Sequence, residues 1–130
     1  MKRVLLSLLA VVGLSGAAKA ADLVVEEFGL PPTYSSIGAA ISAAQPGDRI
    51  IIKNRAGNIP WIENVTVNKS LEFLPFENDT FFICQGLWSF DVSSAATGRT
   101  YTVIGMRNLN GNLAITGSGA TTRSVNMNVM

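Results

Sequence analysis

SSIGAAISAAQPGDRIIIKNRAGNIPWIENVTVNKSLEFL, residues 35–74, changes its hydrophobic period partway along, and that change decides the fold. Ile37, Ala40, Ile41 and Ala44 fall at i, i+3, i+4 and i+7, one apolar stripe on a short helix that Ser35 or Ser36 can cap. Pro46 and Gly47 end it. From Arg49 to Lys53 the chain is β-branched, and Val65/Val67 and Leu71/Phe73 then alternate with polar residues, as strands with one inward face do. A helix this short is not stable alone and must lie on something apolar; the open end of a stack of strands fits.

Working downstream, the strand candidates are Arg49 to Lys53, Asn64 to Asn68, Ser70 to Leu74, Phe81 to Gln85, Trp88 to Val92, Tyr101 to Gly105, Asn112 to Thr116 and Ser124 to Val129. Turn clusters separate them at Asn54 to Asn58, Pro75 to Asp79, Ser93 to Arg99, Met106 to Gly111 and Gly117 to Thr122. Such a series suits a sandwich, a barrel or a solenoid. Three features favour the solenoid. Leu113/Ile115 repeat the inward alternation, and the bend at Asn68-Lys69-Ser70 is too tight for a sandwich crossover. Arg49, Ser70 and Trp88 start runs about 18 to 21 residues apart, near one coil of a repeat.

Upstream, Lys2 and Arg3, the apolar run from Val4 to Leu14 and the small residues of Ala18-Lys19-Ala20 read as an export signal cut before Ala21. The run is about half the roughly 20 residues that span a bilayer, so no transmembrane span is expected in the mature chain. Removing Lys2, Arg3 and Lys19 leaves seven basic against nine acidic side chains, a net charge of −2 without clusters of either sign. That excludes the basic stripe that nucleic acid binding needs. The single cysteine, Cys84, cannot form an intramolecular disulfide and reads as a small buried side chain behind Phe81-Phe82-Ile83.

Tyr34-Ser35-Ser36-Ile37, Ala39-Ala40-Ile41 and Ala43-Ala44-Gln45-Pro46-Gly47-Asp48, with Arg49 to Lys53 and Glu63-Asn64-Val65-Thr66-Val67-Asn68-Lys69-Ser70-Leu71, resemble the opening of the pectin-lyase-like parallel β-helix superfamily. The resemblance covers about forty residues strongly. It implies an all-β fold, a right-handed parallel β-helix (solenoid) behind a short N-terminal capping α-helix. It implies no site residues, because in the enzymes of that superfamily the active groups lie on later coils. The expected organisation is a signal peptide at 1–20, an N-terminal strand and capping helix at 21–48, and the first coils of the β-helix at 49–130. Residues 124–130 (SVNMNVM) read as a strand with no polar cap behind it, so a fold truncated at its C-terminus is expected.

The absence of histidine excludes Ser-His-Asp and Cys-His catalysis and His-ligated metals. The carboxylates left to weigh are Asp48, Glu63, Glu72, Glu77, Asp79 and Asp91. Asp48 belongs to the turn leaving the helix, where it can accept backbone N–H bonds, and Glu63 reads as a corner anchor. Glu72 and Asp91 could meet on an outer face, as two-carboxylate glycosidase chemistry needs, if their strands stack. Glu77 and Asp79 are the one close acidic pair, and calcium needs more ligands than they supply. No cofactor is expected. Trp61, Trp88 and Tyr101 sit beside turns and are the candidate sugar-stacking rings, with Trp61, between Pro60 and Ile62, the one expected to be most exposed.

The expected function is therefore an exported, non-catalytic surface or secreted module that binds polysaccharide or serves as an adhesin. The alternative is the N-terminal part of a polysaccharide-degrading lyase, esterase or glycoside hydrolase whose catalytic coils lie beyond Met130. An independent β-sandwich binding domain is a third reading.

Overall fold

The computed structural model describes residues 19–93, 98–117 and 124–129, the last of these as backbone only. The expected signal segment up to residue 18 lies outside the described residues, as do parts of the expected turns at 93–99 and 117–122. The elements are β1 (Asp22–Val25), α1 (Ile37–Ala43), β2 (Arg49–Ile52), β3 (Trp61–Ile62), β4 (Val65–Val67), β5 (Leu71–Pro75), β6 (Phe82–Gln85), β7 (Leu87–Asp91), β8 (Thr100–Asn108), β9 (Asn112–Thr116) and β10 (Ser124–Val129). Every strand pairing is parallel.

The expected right-handed β-helix is corrected by how these strands join. They form two separate parallel sheets, one of seven strands in the order β1-β2-β5-β8-β6-β3 with β10 also on β8, and one of three in the order β4-β7-β9. Among the described residues no solenoid of equal coils is defined. The runs from Arg49 and Ser70 do form neighbouring strands of the large sheet, but the run starting at Trp88 belongs to the small one, so the second step of the apparent period joins strands that do not pair. The actual steps are unequal: Arg49 faces Glu72, and Glu72 faces Thr102 across a longer intervening segment.

Strand β8 accounts for much of the difference. It was expected to stop at Gly105 and instead runs through Asn108. Its first half pairs with β5 (Leu71 with Tyr101) and its second half with β6 (Phe82 with Met106). Gly105 lies between these halves at φ 65°, where a Cβ would meet the Thr80 carbonyl oxygen at 2.6 Å. A glycine can turn the strand there and pass it from one neighbour to the next without leaving the sheet.

Helix α1 follows the sequence closely. Ser36 is its N-cap, accepting from the Ala39 N–H at 3.1 Å, and Ile37, Ala40 and Ile41 are buried. The helix packs against β1, β2 and β4, touching both sheets at one end. Between the sheets lies an aromatic core. Phe73 (β5) meets Trp88 (β7) edge-on with centroids 5.2 Å apart, and Phe82 (β6) approaches Trp88 at 6.2 Å. Phe90 (β7) meets Tyr101 (β8) at 5.5 Å.

Alternation in β9 did not translate into burial. Leu113 and Ile115 are in register with the buried Trp88 and Phe90, yet they are 38% and 60% exposed. Strand β9 is the last in its sheet, and a strand's apolar face is buried only where another layer covers it.

Cys84 is fully buried, and desolvation raises its thiol pKa to about 12. At pH 8 the folded chain is expected to resist iodoacetamide, and urea-unfolded chain to gain one adduct. Mass spectrometry distinguishes the two, and rapid labelling of the folded chain would contradict the packing assigned to β6.

Candidate functional site

The residues expected to present rings are inside the protein. Trp61 is 6% exposed, and its Nε1 donates to the Lys53 carbonyl at 3.0 Å. Trp61, the ring expected to be most exposed, instead forms β3 with Ile62, and the two pair with Cys84 and Gln85, which turns the indole inward. Trp88 and Tyr101 are core residues at 0% and 1% exposure, and the Tyr101 hydroxyl donates to the Asp91 carbonyl oxygen. None of the three offers an open ring face for stacking on a sugar.

Three of the carboxylates, Asp48, Glu63 and Asp91, are bonded into the scaffold. Asp48 accepts the Gln45 N–H at 2.8 Å, the turn role expected of it, and also the Ala21 N–H at 2.8 Å, a contact across 27 residues that the local turn does not imply. Glu63 does more than anchor a corner. Its carboxylate receives the Ile37 N–H at 2.8 Å and the Gly38 N–H at 3.0 Å, satisfying two of the orphan donors at the start of α1 and placing negative charge at the helix N-terminus. Glu72 and Asp91 lie on β5 and β7, in different sheets, so the outer-face pair does not form. The Ser93 N–H holds the Asp91 carboxyl below the usual range, and Arg99 adds to the effect at 3.0 Å. Glu77 and Asp79 are exposed in a tight turn, and among the described residues no group of three or more Cys, Asp or Glu side chains could hold a metal.

The open cleft lies elsewhere, where the turn after β1 faces β3. It encloses about 460 Å³ and is lined by Glu27, Phe28, Ser35, Ser36, Arg55, Trp61, Ile62 and Glu63. Phe28 stands at its mouth. The Gly29 N–H donates to the Glu26 carbonyl at 3.0 Å and closes a tight turn, in which Phe28 has φ 60° and is 86% exposed. A large apolar ring in the left-handed region is unfavourable on both backbone and solvation grounds. The next groove, of about 430 Å³, is lined by Glu26, Glu27, Phe28, Lys53, Asn54 and Ala56, so Phe28 forms the ridge between two depressions.

Arg55 builds the polar wall of the cleft. Its Nη2 is 3.3 Å from Glu27 Oε1, its Nη1 donates to the Pro60 carbonyl at 3.1 Å, and the guanidinium lies 5.7 Å from the centre of the Trp61 ring. Glu27 Oε2 accepts the Ala56 N–H at 3.2 Å. Each of the four carboxylate oxygens of Glu27 and Glu63 thus has a protein partner. The arrangement is a fixed array of internally paired donors and acceptors beside an exposed aromatic residue. The sequence alone assigns no role to Glu27, Phe28 or Arg55. The available signal was an aromatic wedged between Glu27 and Gly29 just ahead of the two prolines.

Among the described residues no helix is long and apolar enough to cross a membrane. No protein-family model matches the chain, and neither the curated proteins nor the solved structures include a match.

Proposed function

We propose that the chain is an exported, non-catalytic surface or secreted module that binds polysaccharide in the cleft beside Phe28. The observation that carries this reading is Phe28, a residue 86% exposed on a tight turn and flanked by the Glu27–Arg55 pair. Sugar rings have apolar faces that stack on aromatics and hydroxyl edges that bond to planar donors and acceptors. Phe28 offers the first and the Arg55–Glu27 wall the second. The export signal read at the N-terminus would put such a site in contact with extracellular glycans.

Calorimetric titration of the mature chain with a panel of soluble plant, fungal and bacterial polysaccharides tests the proposal. Phe28→Ala is expected to weaken binding about tenfold or more, the loss typical of removing a central aromatic contact. Because the ring is exposed, the variant should melt at the same temperature as the parent or slightly higher. Equal affinity of parent and variant, or no binding across the panel, would remove the site from this reading.

A further inference from the structure

We propose that cleavage between Ala20 and Ala21 creates an α-ammonium group that docks on the buried carboxylate of Asp48, so that export processing completes the fold. Asp48 is 6% exposed and is the one buried charged side chain among the described residues. A buried carboxylate ordinarily takes a cationic partner. Its side chain has only neutral partners here: the Ala21 N–H reaches Oδ1 and the Gln45 N–H reaches Oδ2, both at 2.8 Å. The neighbouring cations are engaged elsewhere. Arg49 forks onto Asp22 with both bonds at 2.7 Å, and Lys69 Nζ donates to the Ala44 carbonyl at 2.7 Å.

The position of Ala21 is fixed independently of its own N–H. The Arg49 N–H donates to the Ala21 carbonyl at 2.8 Å, and Asp22 and Arg49 are directly paired in β1 and β2. Lys19, Ala20 and Ala21 are exposed, which leaves the scissile peptide bond open to an endopeptidase that selects the small residues Ala18 and Ala20. Water adds across the Ala20–Ala21 amide. Ala20 leaves as a carboxylate, and the proton it releases is retained by the Ala21 amine as ammonium. The nitrogen already 2.8 Å from Asp48 Oδ1 thereby changes from a neutral donor to a cation without moving. A charge-assisted bond replaces a neutral-donor one, and the buried carboxylate gains its counter-ion.

The test begins with N-terminal sequencing of chain recovered after export. Ala21 as the first residue supports the proposal, and any other start overturns it. Melting is then compared between chain beginning at Ala21 and chain retaining Ala20, which moves the ammonium one residue away. The longer chain is expected to melt about 4 °C or more lower; equal melting overturns the proposal. In an Asp48→Asn background the extra residue should make no difference, and a persisting difference overturns it. Should Asp48→Asn fail to fold, acylation of the α-amine in chain beginning at Ala21 decides. Labelling by an amine-reactive ester should be severalfold slower in the folded protein than in urea, and equal rates would count against the ion pair.

Discussion

Trp88→Ala is expected to cost about 3–5 kcal/mol of stability, the range for removing a large buried aromatic. The indole is completely buried and stands where the two sheets meet, in contact with Phe73 and Phe82 of the large sheet and Phe90 of its own strand. Removing it opens a cavity that no single neighbour can fill, because the rings around it are held by different strands. Small domains are stable by roughly 5–15 kcal/mol, so the loss consumes a large fraction of the total. Urea denaturation followed by far-ultraviolet circular dichroism should show a midpoint far below that of the parent.

Trp88→Phe refines the argument. Among the described residues the Trp88 Nε1 has no hydrogen-bond acceptor, and an unmet buried donor carries a penalty of about 1–3 kcal/mol. Phenylalanine removes that donor while keeping most of the apolar volume, so it should be much less damaging than alanine. If both substitutions destabilised the chain equally, the aromatic contacts between the sheets would not be what holds them together.

Gly86→Ala is expected to be nearly as damaging, at about 2–6 kcal/mol, combining left-handed strain with overpacking. Gly86 carries the chain from β6 to β7, from the large sheet to the small one, at φ 131°. A Cβ there would lie 2.2 Å from the Glu63 carbonyl oxygen and 2.8 Å from its carbon, both backbone atoms with little room to yield. The Glu63 N–H is itself fixed to the Gln85 carbonyl at 3.0 Å, and its carboxylate caps α1. Displacing Glu63 therefore disturbs the helix cap and the floor of the cleft together. Gly47→Ala is the matched comparison. Gly47 also has a positive φ, 95°, but nothing lies within 4 Å of its Cβ position. Its substitution should cost only the backbone strain, and equal midpoints for the two variants would show that the close approach at Glu63 does not matter.

Both positions illustrate what the chain reveals locally and what it does not. The i, i+3, i+4, i+7 stripe, with Ser35 or Ser36 as the candidate cap, located α1 almost to the residue, and the structure selects Ser36, because a helix is specified by neighbours within a few positions. Strand positions in β2, β4, β5, β6 and β7 were similarly legible from alternation and flanking turns. The failures concern partners. Spacing between run starts suggested one repeating coil, whereas pairing sorted those runs into two sheets and let β8 serve two neighbours around Gly105. Hydrophobic period reports which face of a strand is apolar, and it is silent on which strand lies beside it.

The candidate site divides in the same way. Its absence of histidine chemistry and the turn role of Asp48 were decided by composition and local spacing, since both depend on residue type or on hydrogen bonds within a few positions. Tertiary structure alone decided that Trp61, Trp88 and Tyr101 are buried, that Glu63 reaches back to cap α1, and that Phe28, Arg55 and Glu27 share a cleft. It also placed the Ala21 nitrogen on Asp48. These are contacts between residues distant along the chain, fixed by which sheets the strands enter. Exposure of a ring or pairing of a charge is a property of the covering layer, and that layer comes from elsewhere in the sequence.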